Sequence, residues 1–177
     1  MKKIKKPHFT EFALYYEQYI NLISEDKSVL DQLKASAKEI NNLIKSLDED
    51  QLIYQYAKDK WCIKDIIMHL IDFERVFVYR AMHFARGDRR AIPFFDEKEF
   101  AIEAQAPRIN TRKLLKEYTA CRNLTINFFN NLNAQQMKRT GIASNFTMSV
   151  NASAWIILGH ELHHRTIIKQ LYLKEKR

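Results

Sequence analysis

Residues 63–85 read IKDIIMHLIDFERVFVYRAMHFA, and their spacing decides the fold. Ile66, His69, Phe73, Val76 and Arg80 recur at steps of three and four, which on a helix puts them along one stripe. Gly87-Asp88 then supplies the stop. Three glycines and three prolines in 177 residues leave little punctuation elsewhere, so further long helices are the natural consequence.

Working outward, Ser28 is a suitable N-cap for a helix running to Leu47, with Leu30, Leu33, Ile40, Leu43, Ile44 and Leu47 at helical spacing. Asp48-Glu49-Asp50 reads as its end, and Leu52–Lys60 as a short extended connection into Trp61. Downstream, Arg89–Arg108 holds Pro93 and Pro107 around a short helical piece, Glu97–Ala104, and forms one long irregular crossover. A third long helix runs from Thr111 to Asn131 with Asn110 as its cap, carrying Leu114, Leu115, Tyr118, Leu124, Phe128 and Phe129. After a loop containing Gly141, Ser149 opens a fourth through Trp155, Ile157, His160, His164, Ile167 and Leu171. The expectation is an all-α, four-helix bundle with one long crossover between the second and third long helices. It is a single domain over 1–177, with short basic tails at 1–6 and 174–177.

Composition narrows the function classes. Of a formal net charge of +8, six charges sit in the two ends, in Lys2, Lys3, Lys5, Lys6, Lys174, Lys176 and Arg177 against Glu175. About +2 is left for the body, too little for a nucleic-acid face, and no nucleic-acid-binding motif accompanies it. No apolar run approaches the length of a membrane span, and the start MKKIKKPHFTEF lacks the apolar stretch of a signal peptide. A cytoplasmic protein with no membrane partner is expected. Cys62 and Cys121 form no CxxC pair and read as structural thiols.

The chemistry sits in the histidines. His69 lies between Ile66 and Phe73 on the inward stripe of the second helix, and His160 and His164 lie on that of the fourth. Three neutral imidazoles sharing one interior need a common partner, and a divalent metal is the one that imidazole serves best. The competing reading is that each histidine bonds a neighbour in the core. His163 lies about 100° from its neighbour, yet a step of three from His160 keeps it a competitor to His164. Three ligands leave a position open for water or substrate; zinc or nickel are the first metals to test, then iron or manganese. Asp72, one turn beyond His69, and Glu161, beside His160, are candidates to orient a ligand imidazole or hold a water. For Glu161 a solvated helix face or an ion pair with Arg165 competes. Arg80 is placed either to meet an anionic group or to pack its stem. His83 is roughly 20 Å from His69 along the axis, too far to be a ligand, and His8 carries no spacing signal. Trp61 and Trp155 are pocket walls or packing anchors, while Phe94, Phe95 and Phe100 put an apolar cluster in the crossover that could cover a pocket mouth or a partner subunit.

Two segments also carry a family resemblance. Trp61-Cys62-Ile63-Lys64-Asp65-Ile66-Ile67-Met68-His69-Leu70-Ile71-Asp72-Phe73-Glu74 resembles the tryptophan-to-histidine motif that opens the second helix in the DinB-like (DinB/YfiT-like) superfamily. His160-Glu161-Leu162-His163-His164-Arg165 is similar to its C-terminal histidine motif. The resemblance implies a four-helix bundle holding a divalent metal on one histidine of the second helix and two of the fourth, which here are His69, His160 and His164. It also implies a homodimer, a small-molecule substrate, and either metal-dependent hydrolysis or chemistry on a low-molecular-weight thiol, as in bacillithiol transferases and mycothiol-dependent isomerases. Thiol transfer to an electrophile is placed ahead of hydrolysis; a non-enzymatic metal-binding or stress-response protein is the alternative.

Overall fold

The computed structural model describes residues 3–173. After two short 3-10 turns, Phe9–Glu11 and Leu14–Tyr16, the helices are α1 (Glu17–Ile20), α2 (Val29–Lys45), α3 (Glu49–Ile53), α4 (Ile63–Ala85), α5 (Glu97–Ala104), α6 (Thr111–Asn131) and α7 (Ala134–Met137). A hairpin of β1 (Thr140–Ala143) and β2 (Phe146–Ser149) leads into α8 (Val150–Ile167), which runs on into a π-helical turn, Ile168–Tyr172. The four long helices form the bundle: α4 packs on α6 and α8, and α2 packs on the same two. Helices α2 and α4 therefore sit diagonally, as do α6 and α8, with the longest connection, 86–110, joining α4 to α6.

Two of the three expected caps form through their side chains, while Ser28 stands at the N-cap position of α2 without a side-chain cap bond. Asn110 accepts from Arg112 and Lys113 at the start of α6, and Ser149 accepts from Ala152 at the start of α8. Four local expectations need correction. Asp48-Glu49-Asp50 does not end α2, which stops at Lys45; Asp48 instead caps α3 in a reciprocal pair with Gln51. Acidic side chains favour the positive start of a helix, so this triplet is a beginning. Of the segment 52–60, Leu52 and Ile53 accordingly belong to α3, and only 54–60 forms the non-helical connection into Trp61, starting from extended backbone at Tyr54.

The loop around Gly141 is the β1–β2 hairpin, turned by Ser144 and Asn145 at φ 51° and 68°. Both turn residues are left-handed, as two-residue hairpins with the right twist require. The crossover is tied to this hairpin, because Ile92 N–H donates to the Ile142 carbonyl at 2.9 Å and Ser144 N–H donates to the Ile92 carbonyl at 3.0 Å. Finally, Leu124 and Leu171, counted on inward stripes, are exposed. On α6 the expected Leu114, Leu115, Tyr118 and Phe129 are buried, joined by Cys121, Arg122 and Thr125.

Of the expected basic ends, residues 1–2 and 174–177 lie outside the described residues. Ile4 is buried and Lys6 bonds Glu25 at 2.8 Å. Cys62 and Cys121 are buried free thiols.

Two apolar clusters fill the bundle. Helix α4 gives Ile63–Ile71 to one and Phe73 onward to the other, while α8 gives Val150–Leu158 to the second and is followed by Ile168 in the first. His69, His160 and His164 thus fall at the seam between clusters. Gly159 makes room there: a Cβ on it would stand 2.2 Å from the Tyr19 carbonyl oxygen. Only glycine lets α1 lie this close against α8.

Candidate metal centre

The second and fourth long helices bring three imidazoles to one point. His160 Nε2 lies 3.1 Å from His69 Nε2 and 3.1 Å from His164 Nε2, and the three ligand atoms lie within 4.8 Å of one another. His69 and His160 are buried and His164 is partly buried. A neutral ring nitrogen donates or accepts one good in-plane hydrogen bond, so His160 Nε2 cannot fully satisfy two other Nε2 atoms. Three nitrogens bound to a tetrahedral ion at ~2.0–2.1 Å stand about 3.3 Å apart. The two 3.1 Å spacings fit that donor set, and the third pair lies within 4.8 Å.

Ring orientation is set by packing. Phe73 stacks on His160 at 3.7 Å between ring centres and 15° between planes, Trp61 covers His69 at 4.7 Å, and Tyr19 meets the edges of His160 and His163. The Nδ1 atoms of His160 and His164 are buried with no hydrogen-bond partner among the described residues. Burial therefore decides the charge state. It holds His69 down to about 4. His164 is held down to about 3 by burial, then by His69 and His163. His160 falls well below its ordinary value from burial and then from the other three histidines. All three are neutral at pH 7, the form in which imidazole offers a lone pair to a metal.

Asp72 and Glu161 are not brought to this point. Asp72 turns toward α6 and bonds Arg75 at 3.4 Å. Glu161 is neither on a solvated face nor paired with Arg165, whose partner is Glu39. It is 1 % exposed and accepts from Tyr118 Oη at 2.6 Å and from both terminal nitrogens of Arg122. The 100° step between His160 and Glu161 explains this, since one faces the pocket when the other faces α6. Burial works against the Glu161 charge, but Arg122 and Tyr118 offset it, and the carboxyl stays below its usual range. Arg122 also grips Glu74 at 2.9 Å and the Leu33 carbonyl at 2.9 Å.

The histidines open on a cavity of about 630 Å³ whose wall includes Trp61, Tyr19, Phe95, His163 and Arg80, a size usual for small-molecule sites. Trp61 and Phe95 are thus pocket walls, while Trp155 is a core anchor. His83 pairs with Asp88 at 3.3 Å and His8 lies exposed beside Thr10. Sequence reading missed Tyr15, Tyr16 and Tyr19, which line the same cavity. Their only signal was a cluster of tyrosines in a segment without helical periodicity.

A sequence profile described as the DinB superfamily matches residues 32–168. No curated protein matches the chain in sequence. Solved structures share the fold. One is YfiT from Bacillus subtilis, described as a probable metal-dependent hydrolase with an unusual four-helix bundle topology; it is 18% identical at a TM-score of 0.72, over 94% of this chain and 91% of that one. Another is a mycothiol-dependent maleylpyruvate isomerase, 11% identical at a TM-score of 0.65, over 83% of this chain and 61% of that one. The chain thus spans less than two thirds of the isomerase. At these identities the likeness is one of fold.

Proposed function

The chain belongs to the DinB superfamily, and from that membership and its three-histidine cluster we propose that it is a metal-dependent enzyme acting on a small molecule, by thiol transfer to an electrophile. The observation that carries the reading is the convergence of three neutral imidazole nitrogens at the wall of a cavity. In this reading His69, His160 and His164 hold a divalent ion, zinc or nickel ahead of iron or manganese. A bound ion of this kind acts as a Lewis acid that lowers the pKa of a thiol or water reaching its open position.

The residues of the chain supply the rest. Phe73 and Trp61 fix the ligand rings, and the aromatic walls exclude water from the reacting groups. Thiol transfer is placed ahead of hydrolysis because the carboxylates nearest in sequence to the histidines are engaged elsewhere, Asp72 with Arg75 and Glu161 with Arg122, which leaves Glu97 alone to line the cavity among the described carboxylates. His163 lines the cavity with its pKa lowered by burial, so it is neutral at pH 7 and able to take a proton from an incoming thiol. A thiol needs less help of this kind than water does.

Cytoplasmic location and a homodimer complete the proposal. Among the described residues no helix is long and apolar enough to cross a membrane. Tyr79, Met82 and Leu124 form an exposed apolar strip shared by α4 and α6, a surface that a second copy would cover.

The test begins with metal per chain in purified protein and in His69→Ala and His160→Ala. Near one metal in the parent and far less in both variants is expected, with consumption of a thiol and an electrophilic dye lost on chelation and restored by zinc or nickel. No metal after incubation with either ion would refute the ligand set. A full site with no turnover across thiol and hydrolase panels would favour the non-enzymatic alternative.

A further inference from the structure

The chain buries two arginines on the inward faces of its long helices, and they are treated oppositely. Arg122 is gripped by two carboxylates, Glu74 and Glu161. Arg80 is 1 % exposed and among the described residues no carboxylate pairs with it. One terminal nitrogen donates to Ser144 Oγ at 2.8 Å and toward the Pro93 carbonyl at 3.4 Å, while Nε is buried without a partner. Its guanidinium carbon lies 5.0 Å from the Phe77 ring centre and 5.8 Å from that of Phe95. Only the Tyr16 hydroxyl eases its charge against burial. Glu97, the carboxylate that lines the same cavity, reaches Tyr16 and Tyr19 electrostatically rather than Arg80.

A buried guanidinium without a counter-charge is costly, and an arginine kept this way is explained when its anion arrives with a ligand. Arg80 lines the histidine cavity. Phe77 stacks on Phe73 and Phe73 on His160, and the series of contacts at 5.0, 4.0 and 3.7 Å places the guanidinium carbon within about 13 Å of the His160 ring. Three neutral acceptors, the Ser144 hydroxyl, the Pro93 carbonyl and the Tyr16 hydroxyl, hold the fork, and Nε is left without one, free to donate to an anion.

We infer that Arg80 is the anion anchor of this cavity, so that the small molecule it takes carries a carboxylate or phosphate within about 13 Å of the group that meets the histidines. The inference uses the proposed metal centre only to place the ligand's other end. The substrate or thiol is therefore an acid rather than a neutral or cationic molecule.

The probes are 6-mercaptohexanoate and 6-mercaptohexanol, matched in length and differing in charge, titrated calorimetrically into the zinc-loaded and the metal-free protein. The zinc-loaded parent is expected to bind the acid at least about tenfold more tightly than the alcohol. Arg80→Met should erase that preference by weakening binding of the acid. Its unliganded melting temperature should not fall, since the arginine it replaces had no buried carboxylate to strand. Should that variant not fold, Arg80→Lys keeps the charge without the planar fork and must lower the preference severalfold. Equal binding of acid and alcohol by a parent holding one zinc per chain overturns the anchor and leaves the metal site standing. A preference that survives Arg80→Met overturns it as well. If zinc changes neither affinity yet Arg80→Met still abolishes the preference, the anchor stands and the metal reading falls.

Discussion

Arg122→Met tests the buried charge cluster that supports the site from behind. The parent side chain is 2 % exposed and is shared between Glu74 and Glu161, themselves 2 % and 1 % exposed. Methionine fills a similar volume without charge, so the change strands two carboxylates in the core. Breaking a buried pair costs about 3–5 kcal/mol, a large share of the ~5–15 kcal/mol that holds a domain folded. For a chain of this size that is roughly 6–20 °C in melting temperature. Urea unfolding at pH 7.5 measures it, with the slope checked for a common unfolding transition. The loss should shrink as pH falls, because stranded carboxylates escape their cost by binding protons. Adding Glu74→Gln and Glu161→Gln to Arg122→Met should recover most of the loss. A single variant within about 1 kcal/mol of the parent would refute the reasoning, as would a triple variant no more stable than the single.

Other perturbations have equally definite outcomes. Metal-free protein should lose stability on acidification: His69 and His164 have folded values of about 4 and about 3 against an ordinary 6.5, so the unfolded chain takes protons first. Their contribution is full above pH 6.5 and lost as pH falls through the folded values; urea midpoints across that window should drop, and His69→Ala should flatten the slope. Gly159→Ala drives a Cβ to 2.2 Å from the Tyr19 carbonyl and should cost ~1–3 kcal/mol by thermal melting, with weaker zinc binding because Tyr19 packs on His160. Asp72→Asn touches only a partly exposed pair with Arg75 and should leave metal per chain unchanged and stability within about 1 kcal/mol. If Asp72→Asn empties the site, the assignment of its carboxylate away from the histidines is wrong.

What could be read from the chain follows from what periodicity encodes. The spans 63–85, 97–104 and 111–131 emerge from the structure with the predicted bounds, because helical spacing, flanking Gly and Pro and, for 111–131, the Asn110 cap carry their signal locally. The hairpin did not, since its turn is Ser144-Asn145 rather than a glycine pair, and its strands are short beside Gly141. Helix α3 was hidden by reading acidic residues as an end. The histidine cluster was legible because two helical stripes pointed the same way. Its neighbours were not, because Tyr19 reaches it from a four-residue helix, and the partner of Glu161 is an arginine on a different helix that no local spacing connects to it.

That last pairing bears on how the site is positioned. Helix α8 is buried nearly all round over Val150–Glu161, so hydrophobicity alone leaves its rotation weakly specified. The bond from Arg122 and Tyr118 to Glu161 supplies the missing constraint: with that carboxylate fixed toward α6, the helical step turns His160 toward the cavity, and His164 follows one turn later. Glu74 does the same for α4, where it lies five residues from His69 and takes the other side of the same guanidinium. One buried cation therefore sets the relative rotation of the two helices that carry the histidines. A polar cluster of this cost, retained in the core where packed apolar side chains would be at least as stable, is explained by the angular precision that three converging imidazoles require.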